Sequence, residues 1–229
     1  MGWTGKIQLN DAGGYGMLLE TFLHEGVPDM SENPSVHSTR HPILFDVPEQ
    51  FESPRLILRA PQWGDGAMVN EAICASLAEL RLWMPWAEKA PTPEETEANI
   101  RQARLQFLER TDLRLLLVAK TSGELIGSSG LHRLDWEARK FEIGYWLRTS
   151  ATGQGYMTEA VAAIEAFAIR ELQANRVEIR CDARNGKSAK VAERCGYTLE
   201  GVMRRHTRST DGSLRDTMIF AKVRGVEFD

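Results

Sequence analysis

The stretch Leu147–Ala160 reads LRTSATGQGYMTEA: the end of a strand-like run, two glycines flanking a glutamine, and helical spacing that starts at once. Glycines at 153 and 155 let the main chain turn sharply and leave its amides uncovered by side chains. A helix beginning there has first-turn N–H groups without intrahelical partners, and its dipole adds partial positive charge, so the turn suits a phosphate. An ordinary strand-to-helix turn also favours glycine, and the loop alone does not separate the two readings. Two common phosphate loops are excluded. A Walker A loop needs a Gly-x-x-x-x-Gly-Lys-Ser/Thr run, and none occurs. A dinucleotide fingerprint needs a third glycine, where Thr158 stands, and normally opens a series of parallel β-α-β units. A nicotinamide cofactor is therefore not expected.

Working outward, FEIGYWL (residues 141–147) reads as a strand, and RVEIRCD (176–182) forms the next strand after a helix over about 155–172. Further upstream, LRLLLVAK and LIGSSGLHRL are strands joined by the turn TSGE. ESPRLILRAP opens the compact part with another strand, and residues 63–83 carry helical periodicity. Thr92 and Glu95 match a capping box that starts a long charged helix ending near Arg110. Downstream, GKSAKVAERC is a short helix, and YTLEGVMRRHTRS and LRDTMIFAKV form a hairpin about TDGS. The order predicts an α/β domain with a mixed, mostly antiparallel sheet and a single β-α-β crossover that contains the glycine loop.

Composition sets the wider limits. The chain has 229 residues, 42% of them hydrophobic and 26% charged, as in an ordinary globular protein. A formal net charge of -4 gives no overall field for gripping nucleic acid. Cys74, Cys181 and Cys195 form no C-x-x-C pair and are odd in number, which fits reduced thiols in the cytoplasm. Neither an apolar membrane span nor a secretory signal is apparent. Residues 1–50 are glycine-rich and then broken by prolines, and read as a leader or partner-contacting arm, partly ordered, before a domain over 51–229. His37 and His41 sit between Pro34 and Pro42 with no third ligand nearby, so no metal is expected.

The loop SATGQG resembles the pyrophosphate loop of the GNAT superfamily of acetyltransferases, Gln/Arg-x-x-Gly-x-Gly/Ala, with Ser150 departing from the usual Gln or Arg. The segment NRVEIRCDARNGKSAKVAERCGYTLEGVMRR is similar to the ribosomal-protein N-terminal (Rim-type) branch, through Asn185, Ser188, Gly196, Tyr197, Glu200, Gly201 and Arg204. MPWAEKAPTPEET and FEIGYWL also look like their counterparts, so the resemblance runs from about Pro54 to Val223.

The resemblance implies the GNAT fold, its sheet splayed between the fourth and fifth strands counted from Leu56, with a strand bulge near Gly144 and Tyr145. It implies acetyl-CoA as cofactor and transfer to a primary amine in a ternary complex. The acceptor would be a protein N-terminus, ribosomal or other, with a small amine, amino acid or antibiotic as the alternative. A non-catalytic acyl-CoA sensor is the rival class. Neither nucleic acid nor membrane is an expected partner, and a homodimer is compatible with the family.

Within that frame the cofactor would meet Tyr145, Trp146, Leu147, Thr152, Gly153, Gln154, Gly155, Tyr156, Met157, Asn185, Lys187 and Ser188. A backbone N–H near Tyr145–Leu147 would polarise the carbonyl, and Trp146 itself reads as packing. Ser188 matches the position that protonates the leaving thiolate, although a serine near a helix start also caps. Asn185 suits the cofactor or a turn, and Lys187 a phosphate or solvent. Candidates for the base are Glu142, otherwise a strand residue paired with Arg139 or Lys140, and His206, which precedes Thr207 where relatives carry glutamate. His132 is a third candidate that also reads as a packing histidine. Trp83, Met84 and Trp86 would wall the acceptor pocket or plug the core.

Overall fold

The computed structural model describes residues 41–209 and 211–229. In chain order the elements are β1 (Gln50–Glu52), β2 (Leu56–Arg59), α1 (Gly66–Cys74), α2 (Leu77–Leu80), α3 (Pro93–Glu109), β3 (Leu113–Ala119), β4 (Leu125–Asp135) and β5 (Lys140–Leu147). After these come α4 (Tyr156–Arg170), β6 (Arg176–Asp182), α5 (Gly186–Arg194), β7 (Thr198–Arg208) and β8 (Leu214–Val223). They form an eight-stranded sheet in the order β1-β2-β3-β4-β5-β6-β8-β7, antiparallel throughout except where β5 meets β6.

Nearly every side chain of β3 is apolar, which demands cover on both faces. Leu113, Leu115 and Leu117 join Leu131, Phe141, Ile143, Val177 and Ile179 beneath α4 and α5, whose Val161, Ile164, Phe167, Ala189 and Ala192 complete that core. Leu116, Val118 and Leu125 face the other way, against Val69 and Ile73 of α1, Leu80 of α2 and Ile100 of α3. The result is a three-layer sandwich whose sheet is wrapped by α4 and α5 on one face and α1–α3 on the other. α3 begins with the expected capping box, both of its hydrogen bonds present, and ends at Arg110 in the left-handed region, φ 61°.

The crossover between β5 and β6 is where the sheet opens. Only Lys140↔Arg176, Phe141↔Val177 and Glu142↔Glu178 pair in parallel. Beyond Glu142, β5 continues along β4 to Leu147 while β6 follows β8 to Asp182, so the strands diverge into a V. The splay is thus present, but the expected bulge at Gly144 is not. β5 stays in register with β4 from Glu142 to Leu147, and the irregularity lies between His132 and Asp135. Glycine at 144 has another cause: a Cβ there would come within 2.8 Å of the His132 ring.

Two further differences from the sequence reading have local causes. The helix expected over 63–83 breaks at Ala75 and Ser76, because the fully buried Ser76 hydroxyl accepts the Thr149 N–H at 2.9 Å. An additional strand, β1, precedes β2, and residues 41–49 already pack: Val47 is buried, and Phe45 stacks on Trp136 with ring centroids 5.2 Å apart. The compact unit already includes residues 41–50, and Pro42 and Pro48 hid its start by interrupting any periodicity. The leader reading for residues 1–40, with His37, lies outside the described residues. Among the described residues no helix is long and apolar enough to cross a membrane.

Candidate active site

A cavity of about 720 Å³ occupies the V and reaches both faces of the sheet. On the α5 side its wall holds Tyr145, Cys181, Asn185 and Ser188. The Tyr145 hydroxyl lies 2.9 Å from Ser188 Oγ and donates to the Ser188 carbonyl at 3.1 Å. Burial pushes the Tyr145 phenol well above its ordinary pKa, and burial likewise raises the Cys181 thiol. The cap of α5 is Asn185, whose Oδ1 accepts the Ser188 N–H at 3.1 Å. Ser188 is therefore not the capping residue, and its hydroxyl is directed to Tyr145.

The glycine loop leaves β5 through a 3-10 turn and enters α4 with Gly153 at φ 76° and Gly155 at φ 79°. Both lie in the left-handed region that favours glycine. Gly155 is the N-cap of α4 and offers no side chain, so the first amides of the helix lack side-chain caps. Thr152 and Gln154 turn inward, to the carbonyls of Thr149 (2.8 Å) and Ser150 (2.9 Å). A cation stands beside the loop that the motif did not announce. Arg55 donates to the Gln154 carbonyl at 3.0 Å, pairs with Glu159 at 2.6 Å, and lies 4.3 Å over the Tyr156 ring. Lys187 is exposed, with no partner among the described residues.

On the α1–α3 side the wall is charged. Arg133 Nη1 holds both oxygens of Glu142 at 2.6 Å, and Arg180 approaches the same carboxylate at 3.3 Å. Arg139 and Lys140, the expected partners, do not contact it. His132 Nδ1 meets Asp112 Oδ2 at 2.7 Å, and its ring lies over Gly144. Arg114 reaches in from β3 and bonds Asn99 Oδ1 at 2.7 Å. Trp83, Met84 and Trp86 also line this side. Trp86 packs edge-on against Trp146 with centroids 6.1 Å apart, and Arg215 fixes the Trp83 carbonyl at 3.2 Å.

The structure thus gathers Ser188, Glu142, Tyr145, Trp146, Asn185, Trp83, Met84 and Trp86 around one cavity. Leu147, Thr152, Gly153, Gln154, Gly155, Tyr156, Met157 and Lys187 lie outside its lining, Met157 being buried in the core. His206 is exposed on β7, bonded to Thr217 Oγ1 at 3.1 Å, and does not line the cavity.

A family model described as "Acetyltransferase (GNAT) domain" matches residues 55–198. The chain belongs to the GNAT acetyltransferase family. "Putative ribosomal N-acetyltransferase YdaF" of Bacillus subtilis (strain 168) is 34% identical to this acetyltransferase over 61% of the chain and 76% of its own length. The ribosomal-protein-serine acetyltransferase of Escherichia coli (strain K12) is 27% identical over 67% and 84% of the two chains. Among solved structures, RimL, a ribosomal L7/L12 alpha-N-protein acetyltransferase in complex with coenzyme A, shares the fold with a TM-score of 0.71 and 24% identity, covering 80% of this chain and 99% of that one.

Motif reading of this acetyltransferase passed over Arg55, Asp112, Arg114, Arg133 and Arg180. One of them left a signal: Arg114 is the sole charge inside the apolar run LRLLLVA of β3. A charge in a strand covered on both faces must border a cavity or a partner.

Proposed function

We propose that this acetyltransferase moves the acetyl group of acetyl-CoA directly onto a primary amine, the N-terminal amine of a ribosomal or other protein, within a ternary complex in the cytoplasm. The observation that carries the reading is the open edge of β5. Beyond Glu142 its outward main-chain groups have no strand partner, and a cavity opens beside them on both faces of the sheet. The relatives named for ribosomal proteins support the acceptor class.

The residues present fit the cofactor. The uncapped amides of α4, the left-handed glycines and the neighbouring Arg55 suit a pyrophosphate. The free edge of β5 from Gly144 to Leu147 suits the amide-bearing arm, and Lys187 an outlying phosphate. When bound, acetyl-CoA supplies an acetyl group already activated as a thioester. A main-chain N–H of Tyr145–Leu147 stabilises the negative charge that develops on the carbonyl oxygen.

Proton traffic falls to two pairs of side chains. The attacking amine must be neutral. His132 takes its proton at Nε2, because Asp112 holds the opposite ring nitrogen as Nδ1–H and fixes the tautomer. Glu142 serves a different end: engaged by Arg133 and Arg180, it holds those cations at the cavity wall. On the other face the Ser188 hydroxyl, oriented by the still protonated Tyr145, gives a proton to the leaving thiolate and regains one from water in the open cavity. The test is release of free thiol from acetyl-CoA across N-terminal peptides and small amines. Turnover on peptide N-termini is the expected result. Turnover confined to small amines would overturn the acceptor, and tight coenzyme A binding with no turnover on any amine would overturn the enzyme reading.

A further inference from the structure

The cavity wall on the α1–α3 side carries three arginines, and they differ in how their charge is met. Arg133 is paired with Glu142. Arg180 is paired with Glu178 at 2.8 Å and with Glu142 at 3.3 Å. Arg114 has one hydrogen-bond partner among the described residues, the neutral amide oxygen of Asn99 at 2.7 Å, and no carboxylate within ion-pairing distance. Asp112 is the acid whose charge acts on it, and its Oδ2 is held by His132.

Burial lowers the Arg114 pKa from its ordinary value, as expected for a guanidinium withdrawn from bulk water, although it stays charged at any physiological pH. Arg114 is half-buried, and the donors not used by Asn99 open onto the cavity, free to take a ligand in place of water. The planar fork of donors matches a carboxylate in both shape and charge.

The sheet leads from that guanidinium to the gap. Arg114 pairs with Gly130 on β4, and Gly130 pairs with Gly144 on β5, so the row Arg114-Gly130-Gly144 crosses three strands in register. Leu113, Leu115 and Leu117 face α4 and α5, which puts Arg114 and Leu116 on the opposite face, that of the acceptor wall. Neither glycine adds a side chain of its own to the floor, and the His132 ring lies over Gly144 at the end nearer the open edge of β5. Two strand spacings, roughly 10 Å, separate the ends of the row. The arginine side chain covers part of that distance, and a small bifunctional group covers the rest.

We propose that Arg114 is the specificity residue of the acceptor site, and that the acceptor is an amine that also carries a carboxylate a few bonds away. The inference rests on the amine-acetylating reading given above. The carboxylate has two sources, the α-carboxylate of a free amino acid or an acidic side chain beside a peptide N-terminus.

The test uses matched pairs of acceptors with the wild-type protein, Arg114→Gln and Arg114→Lys. One arm compares serine with serinamide. The other compares the C-terminally amidated peptides Ser-Glu-Ala and Ser-Gln-Ala. In at least one arm the wild type should prefer the acid by about tenfold or more in kcat/KM, mainly through KM. Arg114→Gln should bring that ratio close to one, and Arg114→Lys should retain part of it. Calorimetric titration of the same acceptors into the coenzyme A-loaded protein reads the subsite without turnover. Acid binding that depends on Arg114 in the absence of turnover would uphold the subsite and break the catalytic assignment. Ratios near one in both arms, or a preference that survives in Arg114→Gln, would overturn the proposal.

Discussion

On the α4–α5 face of the gap the site is made of main chain and hydroxyls: the amides at the start of α4, two left-handed glycines, the edge of β5, and the Tyr145–Ser188 pair. On the α1–α3 face it is made of side chains: charged ones drawn from α3, β3, β4, β5 and β6, and an aromatic wall of Trp83, Trp86 and Trp146 with Met84. Main-chain sites demand a fixed local conformation, so they are written in short contiguous motifs. Side-chain sites need only the right strand register, and that register is assembled from distant parts of the chain.

That division can be broken by perturbing each face alone. On the acceptor face, His132→Gln should lower kcat by about a hundredfold or more, the size of general-base catalysis, while coenzyme A affinity stays put. An unchanged kcat would remove His132 from the mechanism.

On the cofactor face, Gly155→Val forces a β-branched residue to φ near 79° and displaces the first amides of α4. Coenzyme A affinity should fall by about a hundredfold, as expected when more than one hydrogen bond to a charged group is lost. Acceptor binding in the absence of cofactor should be spared. If calorimetry finds the cofactor affinity retained, the loop is an ordinary turn.

A smaller effect tests the hydroxyl pair. Ser188→Ala should reduce kcat by about tenfold, with the larger loss for acetyl donors whose leaving thiol is more basic. Equal rates for wild type and variant across donors would assign Ser188 to packing.

The smallest effect concerns how the loop is held. Burial of Glu159 works to raise its pKa, but hydrogen bonds from Ser53 and from the Arg55 main chain and guanidinium outweigh it and leave the pKa lowered. A depressed carboxylate pKa contributes stability above the ordinary carboxylate range and loses it as pH falls through the folded value. Glu159→Gln should therefore cost about 1 to 2 kcal/mol near neutrality by denaturant titration, and the gap should narrow towards acid. A gap independent of pH would mean that the charge of Glu159 does not matter.

Legibility followed the same division. SATGQG and NGKS are contiguous, and they located the crossover, the glycine turn and the start of α5 from the residues alone. The short apolar-rich runs of β3 to β6, separated by turn residues, marked the strands without long-range information. On the opposite wall the contiguous RLWMPW was readable as cavity-lining, but the charged side chains were not. His132 and Asp112 are 20 residues apart, and nothing local distinguishes a histidine that meets an aspartate from one that packs. Glu142 is a candidate base from its place on the fourth strand of the family's pattern, whereas its partners Arg133 and Arg180 come from two different strands and no local spacing announces them. Gly144 suggested a bulge because strand glycines often mark one, whereas here it makes room for an imidazole.

The most direct test of the gap as the cofactor site is amide hydrogen exchange with and without coenzyme A. The account predicts added protection in two segments, Gly144–Leu147 on the open edge of β5 and Gly153–Met157 at the start of α4, with little change at Arg114 or His132. Protection confined to the α1–α3 face, or none in either segment at saturating coenzyme A, would contradict it.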